Sequence, residues 1–330
     1  MRHARAAVFG LVLAAAVGAS RSANPARSSA RAADPPPPPA AAPDEFKVFI
    51  VPDMEGMAGA VFSREVLSGA EANCDDCFTS PDYERFRTIL ADDVNAVIEG
   101  AREAGATAFT VNEGHGGNDF ANLQPWDVDP DATLVRGWPK PLVMITGLDE
   151  TYDTVIFIGA HADAGSGGVM AHNFAMDAFT VNGVPLNEVG INALMAGSMG
   201  VSVSMVSGDD VLVEEARRIL PEVEAVTTKI AYGRNAAATW TPARVQERLR
   251  DAARAAVEGE RAGRHAPYRL DPPYRVELTL RRSFFGWADQ VAALERYGLE
   301  RTGEGSFRFT TDDALEIGHF LNDLEVIVFQ

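Results

Sequence analysis

The stretch Phe49-Ile50-Val51-Pro52-Asp53-Met54-Glu55-Gly56 decides how the rest of the chain is read. Val48 to Val51 is an uninterrupted apolar run, the pattern of a strand buried on both faces, and a turn containing Gly56 and Gly59 follows it. Asp53 and Glu55 stand two residues apart, so at a strand end both carboxylates project to the same side. In an open α/β sheet, ligands collect at the carboxyl ends of strands. Two acids aimed together there repel each other unless a cation lies between them or one is protonated.

Working outward, the chain alternates strands and helices. Tyr83 to Ala104 carries Phe86, Leu90, Val94, Val97, Ile98 and Ala101 at helical spacing, closed by Gly105. Strands are expected at Thr107–Val111, Ala132–Val135, Thr154–Ile158, Ala178–Val181 and Val201–Val206, with a hairpin signal at Asn182-Gly183. Helices are expected at Glu188–Met199 and from Asp209-Asp210 to Leu220. This alternation predicts an α/β fold, a mainly parallel sheet with helices on both faces. Past Tyr232 the texture changes. A long helix opens at Thr241-Pro242 and runs to about Glu260, Val276–Leu280 alternates as a strand, and Ser306–Thr311, a helix Asp313–Leu321 and a strand Val326–Phe329 complete a smaller C-terminal α+β domain. The expected organisation is a leader over 1–43, a catalytic α/β domain over 44–231 and the smaller domain over 232–330.

The leader reading rests on Arg2 and Arg5 before the apolar run Ala6–Ala19, with a cleavage position after Ala19 and a stiff spacer at Pro35–Pro39. It predicts an exported, periplasmic or extracellular protein; an uncleaved anchor is the alternative. Residues 1–43 hold five arginines and one aspartate, so residues 44–330 are more acidic than the whole chain, whose formal net charge is −18. Nucleic acid and anionic membrane surfaces are poor partners for such a charge. The two cysteines, Cys74 and Cys77, form a C-x-x-C without a thioredoxin context or a second ligand pair, which in an exported chain reads best as a local disulfide.

Six histidines are present, and three of them directly follow an expected strand or hairpin edge: His115, His161 and His172. A single loop histidine is ordinarily a structural hydrogen-bonder. Three at strand ends beside Asp53 and Glu55 point to a cluster, because such ends converge in a parallel sheet. Glu188 adds an acid at a helix start, where the bland reading is a helix-dipole partner. Imidazoles with carboxylates suit Zn²⁺, with Mn²⁺ or Fe²⁺ possible, and five such donors exceed the needs of one open catalytic zinc. They fit two ions about 3.5–4 Å apart, bridged by a carboxylate and a water.

Six motifs then occur in order: Asp53-Met54-Glu55-Gly56, Val111-Asn112-Glu113-Gly114-His115, Gly159-Ala160-His161-Ala162, Met170-Ala171-His172, Asn187-Glu188-Val189-Gly190-Ile191-Asn192-Ala193 and Val206-Ser207-Gly208-Asp209-Asp210. Together they resemble the DppA-type D-aminopeptidase family of zinc metallopeptidases. The resemblance implies zinc ligation by Asp53, Glu55, His115, His161 and Glu188, with Asp53 bridging, and a catalytic role for His172. It implies hydrolysis of short peptides with an N-terminal D-amino acid, and a homo-oligomer, a ring of ten subunits. Where the family has Asn-Asp-Ser-His, this chain has Asn112-Glu113-Gly114-His115, so a contact next to the metal is expected to differ.

Two decoys are set aside. Ala196-Gly197-Ser198-Met199-Gly200 sits at a helix end, where a nucleophilic serine elbow cannot form, and Gly165-Ser166-Gly167-Gly168 lacks the lysine of a phosphate loop. The rival readings are a two-metal amidase, esterase or phosphatase and an exported solute-binding protein. Phosphate substrates are disfavoured because no arginine or lysine cluster accompanies the motifs.

Overall fold

The structure is a computed structural model that describes residues 45–67 and 81–329. The expected leader and linker over 1–43 and the Cys74/Cys77 pair lie outside the described residues. In chain order the elements are β1 (Lys47–Pro52), α1 (Ser63–Val66), α2 (Pro81–Glu103), β2 (Ala108–Asn112), α3 (Gly117–Phe120), β3 (Ala132–Val135), β4 (Thr154–Ala160), β5 (Met176–Val181), β6 (Val184–Pro185), α4 (Glu188–Ser198) and β7 (Ser202–Asp209). They continue with α5 (Asp210–Ile219), β8 (Glu224–Gly233), β9 (Ala236–Thr239), α6 (Pro242–Arg261), β10 (Tyr274–Leu280), α7 (Ala288–Ala292), β11 (Glu300–Arg301), β12 (Ser306–Thr311) and α8 (Ala314–Phe329).

Seven strands form one sheet in the order β3-β2-β1-β4-β7-β8-β9. Every pairing in it is parallel except β8 with β9 at the edge. The chain runs outward from β1 through β2 to β3, then returns to pair β4 on the other flank of β1. That reversal opens a crevice outside the carboxyl ends of β1 and β4, the usual place for a ligand in an open sheet. Alternation along β1 separates two cores: Val48 and Ile50 pack beneath α2 and α6, while Phe49 and Val51 face α4, α8 and the second sheet. A strand buried on both sides reads as continuously apolar, which is why this one was legible.

The second sheet is antiparallel, in the order β11-β12-β10-β5-β6. It draws β5 and β6 from before residue 232 and β10 to β12 from after it, and residue 232 itself lies inside β8. The hairpin between β5 and β6 turns on Asn182 and Gly183, both with positive φ (53° and 79°), as a two-residue turn of the primed type requires.

The C-terminus corrects the expectation. The strand Val326–Phe329 does not exist; α8 is one helix to Phe329. Its β-branched residues suggest a strand locally, but Ile317, Phe320, Leu321, Leu324 and Val328 are buried at helical spacing, and tertiary burial overrides that propensity.

Candidate metal centre

Asp53 and Glu55 leave β1 on a turn clamped against β4. Asp53 N donates to Ile158 O at 2.8 Å and Gly56 N to Gly159 O at 2.6 Å. Only glycine fits at either contact: a Cβ on Gly56 would lie 1.9 Å from Ala160 O, and one on Gly159, whose φ is +65°, would lie 2.0 Å from Asp53 O. From β8, buried Lys229 reaches beneath the same turn and donates through Nζ to the carbonyls of Glu55, Met57 and Ala60. His115 follows β2 and His161 follows β4, so the carboxyl ends of three neighbouring strands supply four of the candidate side chains. Glu188 opens α4, where Asn187 caps the helix by accepting from Gly190 N at 2.9 Å.

Backbone carbonyls fix all three imidazole tautomers, since a carbonyl oxygen can only accept. His115 Nε2 donates to Val66 O at 2.6 Å, leaving Nδ1 3.1 Å from Asp53 Oδ1 and 2.9 Å from Glu55 Oε2. His161 Nδ1 donates to Ala162 O at 3.1 Å, and its Nε2 stands 3.6 Å from both Asp53 Oδ2 and Glu188 Oε1. His172 Nδ1 donates to Met170 O at 3.0 Å, with Nε2 3.9 Å from Glu188 Oε1. Glu188 Oε1 in turn accepts from Phe174 N at 2.6 Å. Such outward hydrogen bonds are what orient metal-ligating imidazoles and carboxylates.

The electrostatics describe a site short of positive charge. Burial, reinforced by Glu55, pushes Asp53 up to about 7. Burial also pushes Glu55 upward, but His115 foremost outweighs it and holds that carboxyl well below its ordinary value. Burial opposes charge on His161, yet Glu188, then Asp53 and Glu55, raise it to about 10; His115 is raised in the same way by Glu55 and Asp53. Burial and the neighbouring His161 push His172 down to about 4. Ring nitrogens that are not hydrogen-bonded outward all turn toward carboxylate oxygens, an arrangement that needs either protons or cations between them.

The residues fit metal. Asp53, Glu55 and His161 offer one ligand atom each within 4.8 Å of one another, and so do His161, His172 and Glu188. These two groups share His161, and His115 joins the first through its contacts to Asp53 and Glu55. The structure therefore brings all six sequence-derived residues together, and it places His172 among the possible donors as well as beside them.

Sequence reading missed three residues here and placed a fourth differently. Lys229 is one of the three; it stands in β8 among Thr227, Thr228 and Ile230, and nothing in that run marks it out. Glu113, expected to alter a contact next to the metal, instead accepts through its carboxylate from Asn122 N, Asn122 Nδ2 and Leu123 N, while Asn122 Nδ2 also donates to His115 O. The departure at Glu113 thus ties down the loop beyond His115 and makes no contact with the ligand atoms. Arg234 and Arg281, far apart in the chain, line the same cavity of about 550 Å³ as the six residues, so basic groups do accompany the site. Of the decoys, Ser198 Oγ donates to Met195 O at 2.7 Å.

A sequence profile of the D-aminopeptidase family matches residues 46–322. The chain is 32% identical over 275 residues to the D-aminopeptidase of Bacillus subtilis (strain 168), spanning 82% of this chain and 93% of that protein. Among solved structures, the Zn-dependent D-aminopeptidase DppA from Bacillus subtilis, described as a self-compartmentalizing protease, superposes with a TM-score of 0.77 at 28% identity, covering 86% of this chain and 98% of that one. With the buried carboxylate and imidazole cluster standing at the crevice of the parallel sheet, the chain belongs to the D-aminopeptidase family and is a peptide hydrolase.

Proposed function

We propose that the protein is a two-zinc aminopeptidase that removes an N-terminal D-amino acid from short peptides. The observation that carries this reading is the convergence of three carboxylates and three imidazoles, with tautomers fixed by backbone carbonyls, on one cavity. Asp53, Glu55, His115, His161 and Glu188 would hold the metal, with Asp53 central because its two oxygens face different histidines: Oδ1 toward His115 and Oδ2 toward His161. When bound, zinc supplies Lewis acidity and a water whose pKa falls to roughly 7.

His172 is left to move protons. In its neutral form Nδ1 carries the hydrogen held by Met170 O, so Nε2 has a lone pair and faces the cavity. Nε2 takes the proton that the attacking water loses and returns it to the leaving nitrogen as the carbon–nitrogen bond breaks. An uncharged imidazole in this tautomer cannot donate from Nε2 to an oxyanion, which favours proton transfer over oxyanion binding.

The natural setting is an exported homo-oligomer, a ring of ten subunits; light scattering on the purified protein measures the assembly. The catalytic reading is tested by chelator-reversible hydrolysis of paired D- and L-alanyl peptides. Cleavage restored by zinc and confined to the D series is expected. Cleavage of the L series alone sinks the stereochemical assignment, and cleavage of neither sinks the peptidase reading.

A further inference from the structure

Two arginines, Arg234 and Arg281, line the catalytic cavity, and among the described residues neither has a carboxylate within ion-pair contact. This is unusual in a chain with 47 acidic residues and a net charge of −18. Arg234 lies in the turn between β8 and β9, and that turn is docked onto the segment carrying His172: Met170 N donates to Arg234 O at 2.8 Å, and Arg234 Nη1 donates to Ala171 O at 2.6 Å. Arg281 follows β10 and docks on the same segment from the second sheet. Its backbone N donates to Ala175 O at 2.8 Å, and its Nη2 donates to Phe174 O at 2.8 Å. Each guanidinium spends one hydrogen bond on a carbonyl and keeps the rest of its five N–H donors. Burial, aided by Arg234, pushes Arg281 down from its ordinary value, although Asp177 and Glu188 pull the other way.

We infer that Arg234 and Arg281 form an anion subsite that binds the free C-terminal carboxylate of a short peptide, so that the enzyme selects unblocked di- and tripeptides. This rests on the peptidase reading above. Asp53, Glu55 and Glu188 line the same cavity and are assigned to the metal, which leaves Arg234 and Arg281 as the basic side chains of its lining for a substrate carboxylate. The fork of an arginine matches a carboxylate with two parallel hydrogen bonds. The spacing also suits a short substrate. Phe174 holds Glu188 Oε1 through its N–H and Arg281 through its carbonyl, so one residue and two hydrogen bonds separate the metal ligand from the guanidinium, about 9 Å at most. One or two residues beyond a scissile carbonyl cover about 3.5–7 Å, which brings the terminal carboxylate of a dipeptide or tripeptide within reach.

The test compares D-alanylglycine, its C-terminal amide, and the α-amide of D-alanyl-aspartate, using the zinc-loaded full chain and its Arg234→Gln and Arg281→Gln variants. The free dipeptide should be preferred over its amide by about tenfold to a hundredfold, chiefly through KM, as for a charged hydrogen-bonded pair. Each substitution should cut that preference, and the double variant should abolish it while zinc content stays at the wild-type level. Arg281→Lys should restore part of it, as a point charge without the fork. Equal kinetics for the free peptide and its amide in the wild type, or a preference that survives the double substitution, overturns the subsite. Selective cleavage of the aspartyl amide assigns the arginines to a side-chain carboxylate and overturns the C-terminal assignment. If none of the three is cleaved, the peptidase reading itself fails and takes this inference with it.

Discussion

The rings of His161 and His172 stack 3.9 Å apart and 15° from parallel, each with Nδ1 donated to a backbone carbonyl and Nε2 turned toward Glu188. Two imidazoles so alike in posture differ in surroundings. His161 Nε2 also faces Asp53, and its side chain is 2% exposed; His172 Nε2 faces Glu188 alone, and its side chain is 28% exposed to the cavity. On the proposed function the enclosed ring holds metal and the open one exchanges protons with a substrate.

His172→Ala should therefore keep its zinc while kcat falls by about 10²- to 10⁴-fold, the range for a lost general acid–base group. Metal analysis of the purified variant, read beside its activity, checks this. Zinc lost together with activity would make His172 a ligand, which its grouping with His161 and Glu188 allows geometrically.

Two zinc ions per chain are expected, with Asp53→Asn losing both, because Asp53 faces His115 through one oxygen and His161 through the other. Binding must also expel protons. Without a cation, a proton must lie between His115 Nδ1 and Glu55 Oε2, 2.9 Å apart, and the neighbouring carboxylates favour the charged forms of His115 and His161. Calorimetric titration in buffers of different ionisation enthalpy should show proton release on zinc binding and an affinity that falls as pH falls. A stoichiometry of one would defeat the dinuclear assignment.

How much of this was legible depended on whether a residue's role showed in its neighbours along the chain. The Asp53/Glu55 pair, His115 and His161 were readable because each ends a strand, and parallel strand ends converge whatever their order in sequence. The run Val326–Phe329 was misread because its helical face becomes visible only once Leu321 and Leu324 are known to be buried with Val328. Arg234 and Arg281 could not be found by spacing: one belongs to the edge hairpin of the first sheet and the other to the second sheet, and only tertiary packing brings both to the segment around His172.

Lys229 offers a test of the support beneath the metal turn. Replacing it with Met keeps the apolar stem but leaves the carbonyls of Glu55 and Ala60 without that donor in a buried setting, and Met57 O with only its 3.4 Å bond from Ala60 N. Unsatisfied buried acceptors cost on the order of 1–3 kcal/mol each, and the turn can relieve that cost only by moving Glu55. Lys229→Met should lower Tm and weaken zinc binding at least tenfold, although the lysine touches no ligand oxygen. Unchanged zinc affinity with a lowered Tm would make the residue structural only.

The clearest pH dependence away from the metal lies at Asp93, on the face of α2 that meets α6. It is 4% exposed, its Oδ1 has no partner, and burial, aided by Asp92 against a hydrogen bond from Gln246, pushes its carboxyl up to about 8 from an ordinary 3.8. The unfolded chain ionises this group above about pH 4, whereas the folded chain holds it neutral until about pH 8. Stability is thus lost as pH rises through that window and changes little from this group beyond it, the reverse of a salt-bridged acid. Asp93→Asn keeps the shape and removes the titration. At pH 5, little more than one unit above the unfolded value, the gap between the two proteins should be small. At pH 8.5 the variant should be more stable by on the order of 2–5 kcal/mol, a Tm higher by roughly 5 °C or more. Thermal melts of the zinc-loaded proteins at both pH values measure the difference. An equal offset at pH 5 and pH 8.5 would mean that Asp93 carries the same charge folded and unfolded.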